Sequence, residues 1–232
     1  MLSKTIRTEA ARFRAALTGL LLTATLVAGT TAAQNIAFTG VNVFDGEELL
    51  EGMTVVVEDG VIAAVGTDVS VPDGIDTVDG NGRTLLPGLI DAHQHVFTPA
   101  GLQQSLIFGT TTVLDMFTDP GFAAQMREQQ TAGEAADRAD LFSAGILATA
   151  PGGHGTQFGL PVEGLTSPDQ AEAFVAERVE QGADYIKVIL ESGAEMGMEM
   201  PTIDQDIATA VIAATHDRGL LAITHVQTLT EA

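Results

Sequence analysis

The chain has 232 residues, 45% of them hydrophobic and none of them cysteine, so it can bury a good-sized core and carries no disulfide framework. Its formal net charge is −21, and four of its ten basic residues, Lys4, Arg7, Arg12 and Arg14, stand at the extreme N-terminus. The rest of the chain is acidic enough to repel a phosphate backbone, which sets nucleic-acid partners aside.

The four N-terminal cations precede the apolar run AALTGLLLTATLVAG and the small residues TTAA, the three-part layout of a secretory signal peptide. We expect a signal peptide over residues 1–33, cleaved after Ala33, and a periplasmic or secreted product with no membrane contact after cleavage. An uncleaved anchor is the competing reading, because the run nears the lower length limit for a membrane span. Without cysteine the exported chain carries no lipid on an N-terminal Cys.

Residues 34–84 alternate short β-branched runs, MTVVVE and VIAAVG among them, with Asp45-Gly46, Asp59-Gly60, Asp73-Gly74 and Asp79-Gly80. Asp-Gly between such runs favours tight hairpins, since both turn residues must accept positive φ. A small antiparallel β subdomain, a β-sandwich, is expected here.

From residue 85 onward strands alternate with helices. Strands are expected at LLPGLIDAH, TTTVLDM, DLFSAGILA, DYIKVIL and LAITHV, with helices near 101–108, 120–132, 168–181 and 203–217. Ser167 and Thr202 each stand three residues before a Gln, as in a capping box, and Gly182 and Gly219 sit where helix C-termini favour glycine. Ala171, Phe174, Val175 and Val179 share one helical face, as do Ile207, Ala208, Val211 and Ile212, and both faces should pack on a sheet. Repeated β-α units build either a doubly wound sheet or a β/α barrel, and in a barrel the chemistry comes from the C-terminal ends of successive strands.

The candidate residues obey that rule. His93 and His95 close the first strand, and their two-residue spacing points both imidazoles to one side. A His-x-His pair is often no more than two solvated turn histidines, and a lone His225 in the fifth strand is often a hydrogen-bonded core residue. Lys187 is less easily explained, because an ammonium inside a strand covered on both faces costs several kcal/mol unless it is paired or loses its proton. A depressed pKa makes its amine nucleophilic, toward a carbonyl or toward carbon dioxide. His154 lies in the glycine-rich loop PGGHG, where substrate contact and a plain loop histidine are equally open readings. His216 falls within a helix and should face solvent.

These motifs resemble the amidohydrolase superfamily, most closely its imidazolonepropionase-like and prolidase-like members. The resemblance runs through NVFDGEELLEGMTVVVEDGVIAAVG, LLPGLIDAHQHV, GTTTVLDM, PGGHG, DYIKVIL and ITHV, essentially from Asn35 to the end. It implies an α/β fold, an incomplete (β/α)8 TIM barrel of about five strands over residues 85–232 behind the small β subdomain. It also implies one or two zinc ions, with His93 and His95 holding the more buried one, a carboxylated Lys187 bridging, and His225 on the second. His154 becomes a candidate for substrate binding and Asp91 for a supporting partner of a ligand.

The implied reaction is hydrolysis of an amide, cyclic amide or dipeptide carbon–nitrogen bond in a small molecule by a metal-activated hydroxide, and a homo-oligomer is compatible with it. The family's later His and its proton-shuttling Asp have no counterpart, so the sequence reads as a truncated, inactive N-terminal portion of the enzyme, or alternatively as a non-catalytic metal-binding remnant.

Overall fold

The computed structural model describes residues 35–194 and 197–229, so the expected signal peptide and its cleavage point lie outside the described residues. The first five strands are β1 (Ile36–Phe44), β2 (Leu49–Glu58), β3 (Val61–Gly66), β4 (Asp76–Asp79) and β5 (Thr84–Leu85). They form one sheet in the order β3-β2-β1-β4, with β5 also paired to β1. Ala37, Val41, Val55 and Val56 are its buried residues.

Two expectations about this region are corrected. The β1–β2 and β2–β3 pairs are antiparallel, but β4 and β5 both run parallel to β1, so the sheet is mixed. It is also one sheet instead of the two a sandwich needs. Asp79-Gly80, between the two parallel strands, does not make the expected hairpin. Asp59-Gly60 makes the expected hairpin turn, with φ of 51° and 78°. A Cβ on Gly80, by contrast, would come within 2.2 Å of Val41 Cγ1, so this glycine permits a close approach of two backbones. The left-handed residues are Asn81 and Gly82, and the chain continues alongside β1 instead of folding back.

Beyond β5 the strands and helices are β6 (Leu89–Gln94), α1 (Pro99–Ile107), β7 (Thr110–Asp115), α2 (Pro120–Thr131), β8 (Asp140–Ser143), α3 (Ala171–Glu180), β9 (Ile186–Leu190), α4 (Gln205–His216) and β10 (Ala222–Val226). β6, β7 and β8 form a parallel sheet, and β9 and β10 form another parallel pair. The expected strand DLFSAGILA is interrupted: β8 ends at Ser143, Gly145 takes a φ of 63°, and the chain regains strand pairing only where Ala148 bridges Val188. That bridge helps to join the two sheets, with Ala148 N donating to Lys187 O and Ile189 N to Ala148 O, and Asp184 N donates to Ser143 O beside it.

The helices cover one face. Leu102, Met126, Val113 and Leu141 pack α1 and α2 against β7 and β8. Phe174, Val175, Ile207 and Val211 pack α3 and α4 against Ile186 and Val188; full burial of each such side chain contributes about 1.5–3 kcal/mol. Within α3 the face is turned slightly from expectation. Val179 is 40% exposed, and Arg178 is buried in its place with its guanidinium over the Phe174 ring. Ser167 forms the expected capping box with Gln170, but the cap of α4 is Asp204, whose carboxylate accepts from Ile207 N. His216 is exposed, as expected.

Candidate metal centre

Because Ile186 and Val188 of β9 face the helices, alternation turns Lys187 and Ile189 to the opposite face. The parallel register pairs Ile223 with Lys187 and His225 with Ile189, which places His225 on that same face, one step nearer the strand ends. Ile189 joins Phe117, Ile146 and Leu147 in an apolar floor. Lys187, on the same face of β9 as Ile189, is 2% exposed, and burial lowers its pKa.

His93 and His95 project from the end of β6, with ring centroids 5.7 Å apart. Burial lowers the pKa of His93, and the charges of Lys187, His95 and His225 act in the same direction against Asp91. Burial also lowers that of His95, opposed by a hydrogen bond to the Phe117 backbone and aided by Lys187 and His154. His93, His95, Asp91, Lys187, His154 and His225 thus share one electrostatic neighbourhood at the strand ends. Phe158 links its two halves, with its ring 6.5 Å from His95 and 6.1 Å from His154.

His154 and His225 stack at 4.8 Å, and between them stands a residue that the sequence reading missed. Glu191, 1% exposed, has Oε2 2.6 Å from His154 Nδ1 and 3.2 Å from His225 Nε2. The sequence reading ended the strand at Leu190. Period-two alternation through Lys187, Ile189 and Glu191 was the available signal. Glu191 Oε1 accepts from Gln227 Nε2 at 2.6 Å, and Glu191 N donates to Thr202 Oγ1. Thr202 Oγ1 is thus engaged with Glu191, and α4 is capped two residues later by Asp204.

Asp91, expected as a supporting partner, accepts from the backbone N–H of His93 at 3.1 Å; this contact shapes the strand end. Asp115, also missed, is fully buried and accepts from Val96 N and Ser143 Oγ. The loop bearing His154 is pinned: a Cβ on Gly153 would meet Pro201 O at 2.5 Å. A cleft of about 620 Å³ beside α2 and α3 is lined by none of the histidines, Lys187 or Glu191, so the chemistry does not lie there.

His154, Glu191 and His225 offer one ligand atom each, all within 4.8 Å of one another. Two imidazole nitrogens and a carboxylate oxygen are donors that zinc accepts. Glu191 Oε2 is a buried atom with no hydrogen-bond partner among the described residues, since neither nearby imidazole presents an aligned N–H. The donor set and this unsatisfied oxygen fit a divalent metal.

A family model described as NagA composite domain matches residues 36–85, the span from the start of β1 to the end of β5. The adenine deaminase of Paracoccus denitrificans (strain Pd 1222) is 46% identical over 80 residues, covering 32% of this chain and 13% of that protein. The dihydroorotase of Mycobacterium tuberculosis (strain ATCC 25618 / H37Rv) is 45% identical over 49 residues, 21% of this chain and 11% of that one. Among solved structures, the "putative prolidase from Bifidobacterium longum" superposes with a TM-score of 0.72 at 26% identity, over 85% of this chain and 51% of its own. Molinate hydrolase shares the fold with a TM-score of 0.71 at 19% identity, over 86% of this chain and 55% of its own. The chain thus spans about half the length of its structural relatives. The relatives are hydrolases acting on carbon–nitrogen bonds, and the chain belongs to the amidohydrolase superfamily, whose N-terminal portion it carries.

Proposed function

We propose that the protein is an exported metal-dependent amidohydrolase that hydrolyses an amide, cyclic amide or dipeptide carbon–nitrogen bond in a small molecule. The observation that carries the reading is the convergence of His93, His95, Lys187 and His225 on one face at the ends of parallel strands. Residues 34–84 then form a small β subdomain, and β6 to β10 are five successive strands of a (β/α)8 TIM barrel whose mouth holds the site.

In this reading His93 and His95 would hold one divalent ion, a carboxylated Lys187 would bridge, and His225 would serve a second ion. Zinc bound there supplies Lewis acidity, lowering the pKa of water and polarising a carbonyl. Burial favours the uncharged amine of Lys187, the form that attacks carbon dioxide; the new N–C bond and loss of one proton leave an anionic carbamate. The rings of Phe117 and Phe158 lie against the His95 imidazole.

The test is metal analysis of the purified protein together with turnover of dipeptides and cyclic amides. One or two equivalents of zinc, lost in Lys187→Ala and partly restored by short carboxylic acids, support the reading. Metal without turnover favours a non-catalytic metal-binding remnant, and unchanged metal in Lys187→Ala excludes the bridge. Mass spectrometry of the exported protein should find Gln34 at its N-terminus; a retained Met1 excludes cleavage.

A further inference from the structure

We infer that His154, Glu191 and His225 together form a three-ligand site for one divalent cation, with Glu191 as its anionic ligand. The inference deepens the proposed function and rests on it: the ion assigned to His225 gains two further ligands from this chain, and His154 becomes a ligand instead of a substrate contact.

Glu191 is 1% exposed, and a carboxylate so buried needs compensation for its lost hydration. Oε1 obtains it from Gln227 Nε2, at 2.6 Å. Oε2 has His154 Nδ1 at 2.6 Å and His225 Nε2 at 3.2 Å, yet it lacks a hydrogen bond among the described residues. Two ring nitrogens close to one carboxylate oxygen, without an aligned N–H between them, form an arrangement of electron-pair donors facing a common point.

The dimensions agree. Zinc binds imidazole nitrogen and carboxylate oxygen at about 2.0–2.2 Å, so tetrahedral ligand atoms stand about 3.4 Å apart. The three atoms lie within 4.8 Å of one another, with two of the pairs at 2.6 and 3.2 Å, so small side-chain shifts bring them to that spacing. Each ligand is held from behind: Glu191 by Gln227 and Thr202, His225 by the β9–β10 register, and His154 by the loop packed against Pro201. With the Lys187 carbamate of the proposed function as a fourth donor, these three ligands would fill a tetrahedral shell, and a water on the ion would make it five-coordinate.

The full chain, stripped of metal and titrated with zinc or cobalt(II), tests this by bound equivalents and by the visible spectrum of the cobalt form. Glu191→Gln and His154→Asn should each weaken one equivalent by at least about 10-fold and change the intensity of the cobalt bands. The double variant His93→Asn/His95→Asn should lose the other equivalent. His154 is half-buried on a loop, so its variant tests the site even where Glu191→Gln disturbs folding. Wild-type zinc content and an unchanged cobalt spectrum in His154→Asn and in folded Glu191→Gln overturn the inference alone. A wild-type chain that binds no metal overturns the proposed function with it.

Discussion

Ser143 Oγ donates a 2.7 Å hydrogen bond to Asp115 Oδ2, fastening the end of β8 to the end of β7 where both residues are buried. The other oxygen of Asp115 accepts from Val96 N at 2.9 Å, immediately after His95. Tyr185 Oη donates to the Asp115 carbonyl, so three strand ends and the His95 loop meet at one residue.

Asp115 should therefore make stability depend on pH. Burial raises its carboxyl pKa to about 6 from 3.8, against the hydrogen bonds from Ser143 and Val96. A raised carboxylate pKa means that the folded state holds the proton more tightly, so this group's contribution is complete below about pH 4 and is lost as pH rises through about 6. The change amounts to about 3 kcal/mol. Denaturant unfolding of wild type and Asp115→Asn between pH 4 and 7 should show the stability difference, wild type minus variant, shrinking with pH. A difference that is flat or grows with pH refutes the assignment.

The cap of α4 gives a second prediction. Asp204 accepts from Ile207 N at 2.8 Å, whereas Thr202 Oγ1 accepts from Glu191 N. Asp204→Ala should cost about 1 kcal/mol of stability and leave zinc content unchanged. Thr202→Ala should cost the helix little and weaken zinc binding through Glu191. The reverse pattern in unfolding and metal titrations would restore Thr202 as the cap.

The strands and helices were legible because their signals are local: β-branched runs, Ser167 with Gln170, and the glycines after α3 and α4. The His-x-His pair and Lys187 were legible for the same reason, as chemistry out of place in an apolar strand. Parallel pairing of β4 and β5 was not, because each pairs with β1, about forty residues away in sequence. Glu191 was missed because an acid after a strand reads as the first polar residue of a loop. Its burial depends on Thr202 and Gln227, which meet it only in the folded chain.

A third prediction concerns the sheet edges. β6 and β10 each stand at the end of their strand order, and Leu89 and Ile90 on β6 and Leu221 before β10 are more than half exposed. Exposed apolar edge strands invite pairing with another chain. The isolated 232-residue chain should associate in a concentration-dependent way in analytical ultracentrifugation, and Leu89→Lys/Ile90→Lys should reduce this. A monomer at tens of micromolar, on the order where weak edge contacts register, refutes it.

The last prediction separates what Lys187 costs from what it does. Its side chain lies 2% exposed beside Ile189, and none of the described ion pairs includes it. Burial lowers its pKa, so the folded state disfavours the charged form. The penalty is absent above the unfolded lysine range and grows as pH falls from there through the folded pKa. Methionine has a similar length, is apolar and adapts to irregular packing. Replacing Lys187 by an apolar residue of similar length removes the cost of burying a charge that has no paired partner among the described ion pairs. Lys187→Met, studied without metal, should therefore unfold at higher denaturant than wild type, by a margin that widens toward lower pH. With zinc present the order should reverse, since wild type, with the bridge, binds the metal more fully and gains more of the stabilisation that bound metal gives to the folded state. A variant less stable than wild type in both conditions would mean that Lys187 holds the floor together as a structural side chain and has no special place at the metal.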